Sequence, residues 1–190
     1  MKRVFIVHQW GGSPSTDWYP LLKDELVTRN FGVSVPELPE SGNPQIKPWV
    51  EKLREAVGVP DSETFFVAHS IGCQTVMRYL ESIGEVVGGA VFVAPWLHLM
   101  NLENEESERI AQSWLETPID FQRVRAQLPK LTAIFSSNDP FVPLADAEDF
   151  KEKLGAQIIT LKNRGHFTED DGCHELPEAL NALLKMMQRA

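Results

Sequence analysis

Short apolar runs alternate along this chain with stretches whose apolar residues recur at helical spacing, and that alternation restricts the fold more than any other feature. Val4 to Val7, Val33 to Val35, Thr64 to Ala68, Ala90 to Ala94, Leu131 to Ser136 and Gln157 to Leu161 read as strands, too short for helices and bounded by turn formers. Between them, helical spacing links Trp18, Leu21, Leu22 and Leu26, then Ile46, Trp49, Val50, Leu53 and Val57, then Val76, Leu80 and Ile83. Thr16 or Asp17 is placed to cap the first of these helices, and Pro20 suits its first turn. A short helix with Phe121, Val124 and Leu128, another near Leu144 to Leu154, and a last one with Leu176, Leu180, Leu183, Leu184 and Met187 complete the series. The interval Trp96 to Thr117 has weak periodicity and several acidic residues, and reads as a loop with a turn or more of helix that could partly cover a site.

Strands alternating with helices require right-handed crossovers, so the expected architecture is α/β: a mostly parallel sheet with helices on both faces, a three-layer α/β/α sandwich. With 190 residues, 43% of them apolar, residues 1–190 can build one domain around one core without disulfide or metal support. Cys73 and Cys173 stand far apart and outside any metal-knuckle spacing. The first apolar run ends at Val7, too short for a signal-peptide core or a membrane span, which makes a reducing cytoplasm the default location. Eighteen basic against twenty-seven acidic side chains give a formal charge of −9, which disfavours nucleic acid and anionic membrane surfaces as partners.

In such sheets functional loops gather at the carboxyl ends of the strands. The sharpest local signal there is FFVAHSIGCQ, a buried strand, a tight turn with Ser70 at its apex and a helix beginning at once. Ala68 and Gly72 are small enough for such a turn, and the N–H of Ile71 at the helix start can face a developing oxyanion. A serine nucleophile needs a base and a carboxylate to orient it. Asp139, in SSNDPFVP, and His166, in NRGHF, follow later strands in the order serine, aspartate, histidine. Glu169, Asp170 and Asp171 are nearer to His166 in sequence but read as a solvated loop or a cap for the last helix.

These segments, together with His8, Asp17-Trp18, AHSIGC, NDPFVP and GHF, resemble the small serine hydrolases of the retinoblastoma-binding protein 9 or YdeN-like type over nearly the whole length. The resemblance implies a compact α/β-hydrolase fold without a large cap domain and maps the catalytic triad onto Ser70, Asp139 and His166. The chain departs from the general pattern at Ala68, where glycine is usual, and at Gln9, where a His-Gly pair usually stands. The second oxyanion donor is therefore expected from the backbone of Trp10 first and Gln9 second. Cys173-His174-Glu175 matches the end of a pocket-protein-binding motif, but Asp171 stands where that motif needs leucine, so the binding role is not carried over.

The expected activity is hydrolysis of a small ester, thioester or activated amide through an acyl-enzyme, with no cofactor and no metal. Trp96, Phe141 and Phe167 follow strand ends and are candidates for an apolar substrate wall. His8 and His69 read as braces, His98 and His174 as solvated side chains, and Cys73 as a buried small hydrophobe. The rival reading is a protein-interaction module that keeps the fold with little catalysis, although no feature indicates a particular partner.

Overall fold

The structure, a computed structural model, describes residues 1–102 and 104–188. In chain order it contains β1 (Arg3–Val7), α1 (Tyr19–Val27), β2 (Gly32–Ser34), α2 (Ile46–Val57), β3 (Thr64–His69), α3 (Ile71–Glu81) and β4 (Gly89–Val93). Then come α4 (Glu105–Glu116), α5 (Phe121–Gln127), β5 (Leu131–Ser136), α6 (Asp146–Leu154), β6 (Gln157–Leu161), a single 3-10 turn (Glu169–Asp171) and α7 (Pro177–Gln188). The strands form one six-stranded sheet in the order β2-β1-β3-β4-β5-β6. Every pairing is parallel, more uniform than the mostly parallel sheet expected. Helix α1 packs with α7, whereas α2, α3, α5 and α6 pack in succession against one another. Among the described residues no helix is long and apolar enough to cross a membrane.

β3 and β4 are buried throughout, with Phe66, Val67, Val91 and Phe92 fully inaccessible, because a sheet covered on both faces leaves no polar side. The strand order reverses between β1 and β3: the chain first moves outward to β2, then returns and proceeds the other way. At such a switch point the loops leaving the two adjacent strands diverge and leave a crevice at their carboxyl ends. The loop after β1 begins at His8, and the turn after β3 carries Ser70.

Two helix boundaries differ from the sequence reading. Neither Thr16 nor Asp17 caps α1; Trp18 occupies the N-cap position without a side-chain bond, because Thr16 is tied to Ser13 and Asp17 to Gln9 and Glu169. The interval read as a loop contains a twelve-residue helix, α4. Asn104 caps it by accepting the N–H of Ser107, and Glu105, Glu106 and Glu108 complement its positive end. Only Ile110, Ala111 and Trp114 of α4 are buried, a stripe too narrow to stand out in the sequence. Glu103, at the head of this acidic interval, lies outside the described residues.

The turn at Ser70 depends on how closely α3 approaches β1. A side-chain carbon at Gly72 would meet the carbonyl oxygen of Val7 at 2.5 Å and that of His8 at 2.8 Å. Gly72→Ala is therefore expected to cost about 1–3 kcal/mol in overpacking, and chemical denaturation of the variant measures that loss.

Candidate active site

The serine turn stores strain. Ser70 has φ 53° and ψ −119°, a conformation that side-chain-bearing residues rarely adopt, and its N–H is held by the carbonyl of Val93 at 2.8 Å. Asp17, Ala94 and Phe167, near the same sheet edge, also have positive φ. This geometry lifts the Ser70 side chain from the end of β3 onto the floor of a cleft of about 420 Å³.

His166 reaches Ser70 from the loop after the edge strand β6, and that loop is fastened to the one after β5. Arg164 N–H donates to Ser136 Oγ at 3.0 Å, Gly165 N–H to Asn138 Oδ1 at 3.0 Å, and His166 N–H to Asp171 Oδ2 at 2.8 Å. The imidazole then lies with Nε2 2.9 Å from Ser70 Oγ and Nδ1 2.8 Å from Asp139 Oδ2. The other oxygen of Asp139 accepts the N–H groups of Phe141 at 2.9 Å and Val142 at 3.0 Å, so the carboxylate is fixed from behind. Asp171 holds the backbone of His166 and not its ring; with Thr168 it forms a capping box, which is more than a solvated loop.

Beside Ser70, the N–H groups of Ile71 and Trp10 find no protein acceptor among the described residues. Gln9, the other candidate donor, is excluded from that role because its N–H is already given to the Tyr19 hydroxyl at 3.1 Å. His8 sets the peptide plane that carries the Trp10 N–H: its Nδ1–H donates to the Gln9 carbonyl at 2.8 Å while Nε2 accepts from Leu38 N–H at 3.1 Å. Both bonds require a neutral ring, and burial lowers the pKa of His8. His69 is likewise buried and held well below the usual histidine range, first by desolvation and then by His166. Burial pushes the Cys73 thiol well up, and its Sγ donates to the Ala68 and Val93 carbonyls, so it is a packing residue.

Trp96 and Phe141, two of the wall candidates, line the cleft together with Trp10, Leu99, Leu102 and Ile110. The Phe141 ring stands edge-on to His166, with centroids 5.3 Å apart. Phe167 does not line the cleft; it is fully buried, with its carbonyl accepting the Trp18 indole N–H at 3.1 Å, so the substrate-wall assignment is corrected.

His98, read as solvated, is exposed and is also bonded through Nδ1 to Asp146 Oδ1 at 2.7 Å. Asp146 also accepts the N–H groups of Leu97 and His98, and so anchors the loop that presents Trp96. These two residues and Asp149 bring ligand-type atoms within 4.8 Å of one another. Asp146 is occupied by those three donors and Asp149 pairs with Lys153 at 2.6 Å, an arrangement that serves as a loop anchor. The roles of Asp146 and of Tyr19 were not legible beforehand, since each is a polar residue at a helix start with no motif around it.

A parallel sheet bearing a serine turn after β3, with an aspartate and a histidine on the loops after β5 and β6, defines an α/β-hydrolase fold. The serine hydrolase family model matches residues 4–185, and the chain belongs to that family. It is 24% identical over 184 residues to the putative hydrolase YdeN of Bacillus subtilis, covering 96% of this chain and 94% of that one. To the serine hydrolase RBBP9 of Rattus norvegicus it is 24% identical over 185 residues, covering 96% and 95% of the two chains. The crystal structure of the ydeN gene product from B. subtilis superposes over all of both chains with a TM-score of 0.91 at 24% identity.

Because the folded chain keeps His8 and His69 neutral, while an unfolded chain takes up protons on histidine near pH 6.5, stability is complete above about that pH and declines below it. Unfolding followed from about pH 7.5 to about pH 5.5 should show stability falling with acidity by at most about 1.4 kcal/mol per pH unit for each histidine. His69→Asn should flatten that slope.

Proposed function

We propose that the chain hydrolyses small, uncharged carboxylic esters, thioesters or activated amides through an acyl-enzyme on Ser70. His166 takes the Ser70 proton as Oγ attacks the carbonyl carbon, and Asp139 holds the ring in the tautomer that leaves Nε2 free to do so. The N–H groups of Ile71 and Trp10 stabilise the oxyanion, and protonated His166 returns its proton to the leaving group. Water, deprotonated by His166, then attacks the acyl carbon and releases the acid. The observation that carries this reading is the continuous contact from Asp139 Oδ2 through His166 to Ser70 Oγ, 2.8 Å and 2.9 Å, at the floor of an open cleft.

The lining of the cleft narrows the substrate class. Apolar side chains such as Trp10, Leu99 and Ile110 share its walls with polar ones, and among the described residues no lysine or arginine lines it and Glu106 on α4 is its one charged side chain apart from His166. An apolar acyl group fits these walls, whereas a phosphorylated carrier such as a nucleotide thioester finds no cation to meet it.

A fluorophosphonate probe should label the wild-type chain at Ser70, and Ser70→Ala should abolish labelling and lower turnover by about four to six orders of magnitude. Turnover unchanged in that variant would sink the mechanism. Glu106→Lys should raise the rate on carboxylate-bearing esters relative to neutral ones by on the order of a few-fold; an unchanged ratio of kcat/KM values would show that α4 does not influence charge selection.

A further inference from the structure

Two hydrogen-bonded straps join the loop after β1 to the loop that carries His166. The buried one runs from Gln9 N–H to the Tyr19 hydroxyl at 3.1 Å, from that hydroxyl to His69 Nδ1 at 2.7 Å, and from His69 Nε2 to the His166 carbonyl at 2.7 Å. The second, nearer the surface, passes through the half-buried Asp17, whose Oδ2 accepts Gln9 Nε2–H at 2.9 Å and whose Oδ1 accepts Glu169 N–H at 2.9 Å.

The last member of the buried strap is a carbonyl, which only accepts, so His69 carries a proton on Nε2. Burial keeps the His69 ring neutral. Nδ1 is then an acceptor, and the Tyr19 hydroxyl, which takes the Gln9 N–H, gives its own proton to it. Tyr19 and His69 are fully buried, and the His69 ring packs against Trp18 and His166, with centroids 5.6 Å and 5.3 Å away, so both links of the strap are shielded from bulk solvent.

We infer that Tyr19 and His69 are positioning residues, a rigid relay that keeps the Trp10 oxyanion donor and the His166 imidazole in register across the cleft. The inference rests on the acyl-transfer reading above. Neither residue meets the substrate. The two groups they hold come from separate loops, and a shift between such groups of about 1 Å is enough to slow chemistry by up to about 100-fold.

Tyr19→Phe keeps the ring and removes only the hydroxyl. With a neutral p-nitrophenyl ester, kcat should fall roughly tenfold or more while KM stays within about twofold, at a temperature where calorimetry shows the variant folded. Tyr19→Phe combined with His69→Gln should lose no more kcat than the worse single variant, because both break one strap. Tyr19→Phe combined with Asp17→Ala should lose the product of the single effects or more, because two straps are then cut. Nitrogen-15 NMR of the wild-type chain should show His69 as the Nε2–H tautomer, a readout independent of any variant's folding. A kcat for Tyr19→Phe within twofold of wild type, multiplying losses in the Tyr19/His69 pair, or an Nδ1–H tautomer would each overturn the relay. If the wild-type chain neither turns over esters nor labels at Ser70, the acyl-transfer reading fails and takes the relay with it; if it does both and Tyr19→Phe matches it, the relay alone fails.

Discussion

The approach of α3 to β1 is the constraint from which the rest of the site follows. Gly72 lets the helix start against the carbonyl oxygens of Val7 and His8, and only with the helix seated there does the chain turn sharply enough to raise Ser70 from the sheet. The positive φ at Ser70 is the local cost of that turn, offset by a fully buried strand on one side and a largely buried helix on the other. The same closeness brings the Ile71 N–H and the loop after β1 to one side of the serine, where two donors from different parts of the chain can converge.

His166 arrives by a longer route. β6 is an edge strand, three places from the strand that leads into Ser70, so His166 must be brought back across β5 and β4. Ser136 and Asn138 at the end of β5 grip the returning loop, and Asp139 is the next residue along. Asp139, which meets the imidazole, is thus part of the ledge on which the histidine loop rests. This arrangement explains why Asp139, remote in sequence, meets the ring, whereas Asp171, five residues from His166, meets only its backbone.

Much of this was readable in the amino-acid order. Each strand was marked by its own apolar run, and Ser70, Asp139 and His166 each follow such a run, so their convergence at one sheet edge required only that the strands be parallel. What escaped notice has two physical origins. Helix α4 buries only three residues and owes its start to a cap and an acidic first turn, signals weaker than a broad apolar stripe. Side-chain commitments at long range were the other gap: Tyr19 taking the Gln9 N–H, Asp146 holding the loop of Trp96, and Phe167 packing inward have no trace in local periodicity.

Helix α4 is fixed very unevenly along its length. At its far end the Arg78 guanidinium, from the helix behind the serine, gathers the carbonyls of Trp114 at 2.8 Å and Thr117 at 2.9 Å, and the Trp114 indole reaches the Pro44 carbonyl at 3.0 Å. At its near end Asn104 and Glu106 are exposed and Ser107 half-buried over the cleft, and among the described residues no comparable clamp holds them. The mouth of the cleft and the Ser70–His166–Asp139 cluster beneath it thus stand on separate pieces of chain, one anchored at a single end and the other locked into the sheet edge.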